Sequence, residues 1–364
     1  MRRLLVTAAL AAAALAAASA GPAQAALTVP PGVRVAAVAR GVGQPTNLAF
    51  DAQGGLWTTS GGNVTVASDG VWYTRRPGAR PVHVVRRLFT ALGLTWFRDE
   101  LYVSFIAPYS AANVPHTGQV NAYGGWDGQR FRRSRVVVRN LPVGEHTVDS
   151  ITPGPDGRLY LGVGSKFNAK AVPLRLSGTV VSFLPSGGGL RVEGRGFRNP
   201  YGLAFVPGTS DLLVTENGRD DLGAFKPHDE LDLVRTPRRG AIPFYGFPGC
   251  YGQGGAPCRG VVAPLLLTAV HASSDGIAIT KRFGSFGLSA FIAENGSSFA
   301  ANPTGSDVIR VSLVRRGRGY RAVSHRFARG FTKYDPLGAA MGPGGALYVT
   351  LWKSGKVIRF TPPR

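Results

Sequence analysis

The chain has 364 residues, including 50 Gly and 26 Pro, and its 42 Lys and Arg against 20 Asp and Glu give a formal net charge of +22. The length exceeds the size at which a single hydrophobic core normally stops growing, so an architecture of repeated units is favoured. The Arg residues are scattered over many predicted strands. This argues against dedicated nucleic-acid recognition and for a solvated basic surface that could touch anionic cell-wall polymers.

Residues 1–25 have the pattern of a secretory signal peptide. Arg2 and Arg3 precede an Ala/Leu run that ends at the small residues Ala23 and Ala25, which matches the charged start, apolar middle and cleavage site of such a segment. No later apolar run is long enough to span a bilayer. We therefore expect a soluble, exported protein that is cleaved after Ala25, with residues 26–364 as its folded domain.

A pattern of two short apolar runs joined by a turn rich in Gly, Pro and Asp recurs six times along this domain. The most complete copy, residues 196–218, contains the runs 202–205 and 212–215. The other five copies begin at Thr46, Leu92, Ser150, Asp275 and Leu337. Their spacing is typical of propeller blades rather than of solenoid repeats, and no sustained helical periodicity follows the N-terminal segment. The sequence therefore predicts an all-β, six-bladed β-propeller.

Between consecutive copies lies a second pair of strands, in which apolar residues alternate with Arg or Ser. After the fifth copy these strands are residues 307–313 and 320–327, and their alternation suits the outer strands of a blade, whose edge must be protected. Each blade is thus predicted to have four strands. The sixth copy ends after the strand 356–360, while residues 33–38 have no blade of their own. We predict that this N-terminal strand completes the sixth blade and closes the ring.

The chain has two cysteines, Cys250 and Cys258, which lie close together in a Gly-rich segment. In an exported protein such a pair is more often a disulfide than a metal or redox site. We predict a disulfide that staples a loop.

Several uncommon polar residues fall in connections that a propeller gathers on one face, around the mouth of its central channel. They are Glu145, His146, Arg198, Asn199, Gly218, Arg219, Asp220, Asp221, His271, Asn295 and Lys333. Each also has a structural interpretation: a loop His is most often a surface residue, and Asn199 could satisfy backbone donors in a turn. The acidic residues Asp220, Asp221, Asp229 and Glu230 could hold Ca²⁺ or could pair with nearby Arg. Their shared face favours a functional site.

Three segments around these residues resemble the soluble quinoprotein glucose/sorbosone dehydrogenases. They are residues 198–205 (Arg-Asn-Pro-Tyr-Gly-Leu-Ala-Phe), 215–221 (Thr-Glu-Asn-Gly-Arg-Asp-Asp) and 229–233 (Asp-Glu-Leu-Asp-Leu). The spacing from His146 to the Gly-Pro-Asp-Gly turn at 154–157 is also similar, and the likeness extends over nearly all of the folded domain. The resemblance implies a six-bladed propeller that uses pyrroloquinoline quinone (PQQ) and Ca²⁺ to oxidise a sugar hydroxyl.

Carried over position by position, the resemblance implies catalytic and substrate-binding residues. His146 would be the general base that takes the hydroxyl proton as hydride leaves. Arg198 would polarise the quinone carbonyl and stabilise the oxyanion that develops there. Glu145 would contact the sugar.

The resemblance also implies where the cofactors would bind. Asn199 would hold PQQ, and a Ca²⁺ ion would bridge to it. The resemblance matches the carbonyl oxygens of Gly218 and Arg219 to the ligands of this ion, and the carboxylates of Asp229 and Glu230, from the acidic cluster, are further candidate ligands. Relatives place basic residues on the PQQ carboxylates from the fifth blade and the start of the sixth. Residues 293–297 contain no cation, so Lys333 is the candidate for that contact.

Two other functions are left open by the sequence. A propeller of the same ancestry that has lost its cofactor would bind a glycan or cell-wall polymer, and the scarcity of basic residues in blades five and six favours it. A Ca²⁺-dependent lactonase or other hydrolase would use the acidic residues and a metal-bound water. The leading hypothesis is an exported, PQQ- and Ca²⁺-dependent dehydrogenase of an aldose or related aldehyde, with an unidentified electron acceptor.

Overall fold

The computed structural model describes residues 27–62, 67–108, 116–170, 173–235, 240–252, 258–297 and 299–363. These residues form six four-stranded antiparallel sheets, whose innermost strands contact one another in a closed ring. The prediction of an all-β, six-bladed propeller with four-stranded blades is therefore confirmed. Within the described ranges, no helix is long and apolar enough to cross a membrane. The predicted signal peptide lies outside them.

The blades follow one another along the chain, and within each blade the strands run from the channel outwards. The first three blades contain β2 (Pro45–Phe50), β3 (Leu56–Ser60), β4 (Gly70–Thr74) and β5 (Val82–Arg86); β6 (Phe89–Phe97), β7 (Glu100–Ala107), β8 (Thr117–Trp126) and β9 (Phe131–Leu141); and β10 (Val148–Pro153), β11 (Leu159–Val163), β12 (Thr179–Phe183) and β13 (Arg191–Arg195). The next two contain β14 (Pro200–Phe205), β15 (Leu212–Glu216), β16 (His228–Val234) and β17 (Leu266–Val270); and β18 (Ser274–Thr280), β19 (Ser289–Glu294), β20 (Asp307–Arg316) and β21 (Gly319–Ala328). The sixth contains β22 (Ala339–Gly342), β23 (Ala346–Leu351), β24 (Lys356–Thr361) and the N-terminal β1 (Arg34–Arg40).

The N-terminal strand closes the ring as predicted. β1 pairs antiparallel with β24, with Val35 opposite Phe360 and Ala37 opposite Ile358. The sixth blade therefore has the order β1-β24-β23-β22. At the end of β1, Val38 is buried in the apolar cluster between the sixth blade and the first. The first and last strands of the fold are thus held in one sheet.

The core lies between neighbouring blades rather than at the centre of the molecule. Between the fifth blade and the sixth, four phenylalanine rings pack edge to face with centroids 4.7 to 5.6 Å apart. These rings belong to Phe283, Phe291, Phe327 and Phe360. Burying each one stabilises the fold by roughly 1.5–3 kcal/mol. Because each blade packs only on its neighbours, the chain avoids the size limit of a single core.

Small residues bring the inner strands together one level below the mouth of the channel. Four of the six blades place glycine there, at Gly93, Gly202, Gly276 and Gly338. A Cβ on Gly202 would lie 2.2 Å from the Asp275 carbonyl oxygen, so only glycine allows this approach. On the other two blades, Asn47 Nδ2 donates to Ser150 Oγ at 2.9 Å. This level separates an upper cavity at the channel mouth from a lower one.

The predicted disulfide is confirmed. Cys250 and Cys258 are bonded, with their Cα atoms 5.2 Å apart, in the connection between β16 and β17. The N–H of Cys250 donates to the Gly246 carbonyl oxygen at 2.9 Å. From the same connection, the Pro248 carbonyl oxygen accepts a hydrogen bond from Arg219 Nη1 at 2.8 Å. The described part of this connection therefore contacts Arg219 beside the channel mouth.

Candidate active site

Two adjoining cavities open at the mouth of the channel, the upper cavity of about 580 Å³ and a side cavity of about 530 Å³. Their shared walls are formed by His146, Asn199, Asn217, Ser273, Gly296 and Tyr334. Glu145 lines the upper cavity, and Arg198, Gly218 and Asp229 line the side cavity. The structure thus brings most of the residues singled out in the sequence to one face, around a space of the size that ligand pockets have.

His146 lies in the connection before β10 and is positioned by one backbone carbonyl. Its Nδ1 is 3.0 Å from the Ser165 carbonyl oxygen, which can only accept, so Nδ1 carries the proton and Nε2 keeps its lone pair. Burial, and after it the charge of Arg198, lower the pKa of His146 from 6.5 to about 3. The imidazole is therefore neutral at neutral pH, and its second nitrogen is available as a base.

A buried guanidinium lies beside this imidazole. Arg198 is only 5% exposed, and it donates from Nε to Asn168 Oδ1 at 2.8 Å and from Nη1 to the Asn217 carbonyl oxygen at 3.1 Å. Its Nη2 forms an ion pair with Asp220. These contacts use three of its five N–H groups and fix the cation in place. A charge so poorly solvated acts strongly on its neighbours, as the lowered pKa of His146 shows.

The loop that carries Arg198 is fixed by a carboxylate from the second strand of the same blade. Glu216, at the end of β15, accepts hydrogen bonds from the N–H groups of Arg198 at 2.5 Å and Asn199 at 3.1 Å. The Asn199 side chain donates to Asn217 Oδ1 at 2.9 Å. Asn199 is therefore a wall residue of both cavities whose Nδ2 is already engaged, and Glu216 serves as the anchor of the loop.

The residues predicted to bind Ca²⁺ lie around two spaces rather than one. Gly218 borders the side cavity together with Asp229, and it also borders a crevice of about 20 Å³ together with Arg219 and Glu230. The two oxygens of Asp229 accept the N–H groups of Gly218 and Ser274 at 2.9 and 3.0 Å. Burial raises the pKa of Glu230 to about 9. Across the part of the chain that the structure describes, no cluster of three or more His, Cys, Asp or Glu is placed to hold a metal, so this Ca²⁺ site stays a prediction.

Two of the acidic residues pair with arginine, which is one of the two interpretations that the sequence allowed. Asp220 pairs with Arg198. Asp221 receives hydrogen bonds from Arg219 Nε at 2.9 Å and Nη2 at 2.7 Å, so the Arg219 side chain is turned towards Asp221. Only the backbone carbonyl of Arg219 is left to act in the predicted metal site.

Glu145 stays exposed at the rim of the upper cavity. Its Oε2 accepts a hydrogen bond from the Asn168 N–H at 3.0 Å, and the side chain of Asn168 in turn accepts from Arg198. This carboxylate therefore lies close to the Arg198 loop and offers acceptor oxygens to a ligand that enters from solvent.

The sixth blade contributes an aromatic and cationic wall, and among its residues the sequence pointed only to Lys333. The ring of Tyr334 lines both cavities, and its centre is 5.0 Å from Lys333 Nζ and 5.7 Å from Lys353 Nζ. The buried carboxylate of Asp335 accepts the Lys353 N–H at 2.8 Å. Trp352 lines the upper cavity as well. The two rings thus line the cavity, and the two cations lie beside the Tyr334 ring.

A sequence signal for these missed residues does exist. Trp352 and Lys353 directly follow β23, the second strand of their blade, just as Asn217 follows β15 and Asn295 follows β19. Aligning the ends of the second strands over all six repeats would have placed them at the channel mouth.

No family model matches the chain. A curated relative, an uncharacterized protein of Borreliella burgdorferi, is 22% identical over 311 residues, which cover 79% of each chain. Its name assigns no activity to it.

Solved structures share the fold over nearly the whole chain. The PQQ domain of a pyranose dehydrogenase from Coprinopsis cinerea, in its holo form, is 18% identical with a TM-score of 0.74, over 92% of this chain and 97% of that one. The PQQ-bound aldose sugar dehydrogenase of Streptomyces coelicolor is 20% identical with a TM-score of 0.66, over 92% and 99%. The apo form of the soluble aldose sugar dehydrogenase of Escherichia coli is 18% identical with a TM-score of 0.69, over 91% and 100%. At such identities the likeness shows the fold alone, and it is the fold that the sequence resemblance implied.

Proposed function

We propose, from the fold that this chain shares with PQQ-dependent sugar dehydrogenases, that the protein is an exported dehydrogenase that passes hydride to PQQ from the carbon that carries a sugar hydroxyl, with Ca²⁺ as a second cofactor. One observation carries the proposal: a neutral imidazole, His146, with Nε2 available lies beside the buried guanidinium of Arg198 at the channel mouth. Oxidation of a hydroxyl requires such a pair, because a base must take the proton and a cation must meet the charge that reaches the acceptor.

The residues at the cavity suit PQQ, which is flat, aromatic and carries three carboxylates. Tyr334 and Trp352 offer rings that line the cavities, Arg198 offers a cation at the side cavity, and Lys333 and Lys353 offer two more beside the Tyr334 ring. Partly desolvated carboxylates require such compensation. We propose that these three cations, together with Asn199, hold the cofactor. When bound, PQQ supplies the carbonyl carbon that accepts hydride.

The properties of His146 determine how the proton leaves the sugar. Nε2 accepts the hydroxyl proton, while the Nδ1–H group stays on the Ser165 carbonyl oxygen and keeps the ring in one tautomer. Because its pKa is near 3 in the absence of a ligand, the imidazole is a weak base, and proton removal must accompany the departure of hydride rather than precede it. Anionic groups bound beside His146 raise this pKa towards the working range.

Two further residue groups are proposed to complete the site. Glu145 accepts hydrogen bonds from sugar hydroxyls at the rim. The carbonyl oxygens of Gly218 and Arg219 bind Ca²⁺, as the resemblance implies, and Asp229 orients this segment by accepting the Gly218 N–H at 2.9 Å. Export is proposed from the pattern of residues 1–25, and the basic surface could contact anionic cell-wall polymers outside the cell.

The test is a titration of the purified protein with PQQ in the presence and absence of Ca²⁺. Quinone absorbance reports binding, and reduction of an artificial dye with a panel of aldoses reports turnover. We expect the wild type to bind and turn over, and His146→Gln to bind but lose at least about 100-fold in kcat, the size of a general-base contribution. His325→Gln is the matched control, because His325 is exposed on the outer strand β21.

The other outcomes identify the rival functions. Absence of a quinone spectral change at micromolar PQQ overturns the proposal. Lactone hydrolysis without quinone would then indicate the hydrolase, and retained polysaccharide binding without turnover would indicate the binding propeller.

A further inference from the structure

One register position of the inner strands forms a ring that makes the floor of the upper cavity. Its six members, one from each blade, are Thr46, Leu92, Asp149, Tyr201, Asp275 and Leu337. Each lies directly before the residue at which the inner strands come together. Blades six, one and two contribute two leucines and a threonine, whereas blades three, four and five contribute two carboxylic acids and a phenol. The floor therefore has an apolar half and an acidic half.

The acidic half contains polar atoms that the described part of the chain does not satisfy. Asp149 is 1% exposed and its Oδ2 has no hydrogen-bond partner there; Tyr201 is 6% exposed and its hydroxyl has none either. Asp275 accepts a hydrogen bond from the Ser273 hydroxyl at 2.9 Å, and it is also hydrogen-bonded to the Asn217 side chain. A buried polar group without a partner costs roughly 1–3 kcal/mol, and both residues line the floor of one cavity, so two such groups at one place indicate a ligand.

The charges of the acidic half point to the sign of that ligand. Asp149, Tyr201 and Asp275 come from three neighbouring blades and line the same cavity at one register position. The two carboxyl groups and the phenol therefore share one side of the floor. Carboxylates that share a buried site carry their charges at low cost only beside a compensating cation.

We propose that the acidic half of the floor binds a divalent cation of the Ca²⁺ class, held by the carboxylates of Asp149 and Asp275 and the hydroxyl oxygen of Tyr201. All of these atoms are oxygens, which hard cations prefer. Asn199 and Asn295 line the same cavity, and because their amide nitrogens donate to other residues, their amide oxygens are further candidate ligands. Waters complete the coordination of such ions in most sites.

This site is separate from the Ca²⁺ site implied by the sequence resemblance, which uses the backbone carbonyls of Gly218 and Arg219. It goes beyond the proposed dehydrogenase activity and does not depend on it. A cation here would cancel the negative charge of Asp149 and Asp275 beneath the cavity, so that an anionic ligand above them would not be repelled.

The experiment is a calorimetric titration of metal-stripped protein with CaCl₂, with neither PQQ nor sugar present. We expect Asp149→Asn to remove one Ca²⁺ from the stoichiometry or to weaken one site by at least about tenfold, because the charge of the ligands sets affinity at such sites. Asp232→Asn is the matched control. Asp232 is equally buried and its two oxygens lack a partner among the described residues, but it does not line the cavity, so its variant should bind as the wild type does.

Tyr201→Phe removes a single oxygen and provides a second variant if Asp149→Asn does not fold. It should weaken the same site, and it should lower the emission of bound Tb³⁺ that tyrosine excitation sensitises. Equal stoichiometry and affinity in the wild type, Asp149→Asn and Tyr201→Phe would overturn the proposal, as would a wild type that binds no Ca²⁺. Because no turnover is measured, either result is independent of the dehydrogenase assignment.

Discussion

At the scale of single residues, the imidazole of His146 links the candidate site to the stability of the fold. Its pKa is about 3 in the folded protein, against 6.5 for the ordinary group. The unfolded chain therefore binds a proton in a pH range where the folded protein does not. The stability that goes with the neutral ring is fully present above pH 6.5, and it is lost as the pH falls towards 3, by about 1.4 kcal/mol per pH unit.

We therefore predict that the unfolding free energy of His146→Gln falls less steeply than that of the wild type as the pH drops below 7. Between pH 7 and pH 4.5, the wild type should lose about 2–3 kcal/mol more unfolding free energy than the variant. Urea denaturation at the two pH values measures this difference. The variant His325→Gln should flatten the pH profile of the unfolding free energy much less, since His325 is exposed, although slight burial and the charge of Arg310 also lower its pKa. Parallel profiles for His146→Gln and the wild type would show that the ring titrates normally in the folded protein.

At the scale of elements, the segment 332–336 before β22 is held at the channel mouth by one carboxylate. Asp335 accepts the N–H groups of Lys353 and Ser354 at 2.8 and 3.4 Å and also the Ser354 hydroxyl. It joins this segment to the connection between β23 and β24. The positions of Tyr334, Lys333 and Lys353 at the channel mouth depend on this junction.

We predict that Asp335→Ala costs about 2–3 kcal/mol of stability and also weakens PQQ binding by at least about tenfold, because two of the three cations lose their positions. Asp51→Ala is the matched control. Asp51 accepts the N–H groups of Gln53, Gly55 and the Trp57 indole at 2.7 to 3.0 Å, but in the turn between β2 and β3, at the far end of the channel. The Asp51→Ala variant should lose a similar amount of unfolding free energy and keep the affinity of the wild type for PQQ. Equal affinities in both variants would mean that the wall residues do not contact the cofactor.

At the scale of the whole molecule, the repeats made the architecture predictable. Each copy of the strand-turn-strand pattern pairs with itself, so the number of blades follows from the number of copies. The sixth blade lacked an outer strand, and residues 33–38 were the one predicted strand without a blade. The gathering of His146 and Arg198 at the channel mouth followed in the same way, because a propeller sends equivalent connections to the same face.

The features that the sequence did not reveal depend on atomic distances between blades. Asp229 is an acidic residue in an acidic stretch, and nothing local indicates that both of its oxygens accept backbone N–H groups, one of them in the next blade. Lys353 is exposed and follows a strand by two residues, so its stacking on Tyr334 depends on the backbone of another connection. The floor of Asp149, Tyr201 and Asp275 needed only an alignment of the repeats by register, which the repeat pattern already contained.

The closure of the ring by a single strand leads to the last prediction. β1 holds the sixth blade together at its outer edge, and Val38 and Ala39 fill the boundary with the first blade. Removing residues 1–40 should lower the unfolding free energy by at least about 3 kcal/mol through lost apolar burial, and the exposed edge of β24 should promote self-association. Removing residues 1–25 should change neither property.

The same truncation of residues 1–40 should have a local effect on hydrogen exchange, because each blade contacts only its neighbours. Amide exchange should become faster first in β24 and in the first blade, while β10 to β15 keep their protection. Uniform loss of protection in all blades would instead mean that the propeller unfolds as one cooperative unit, with no local weak point at its closure.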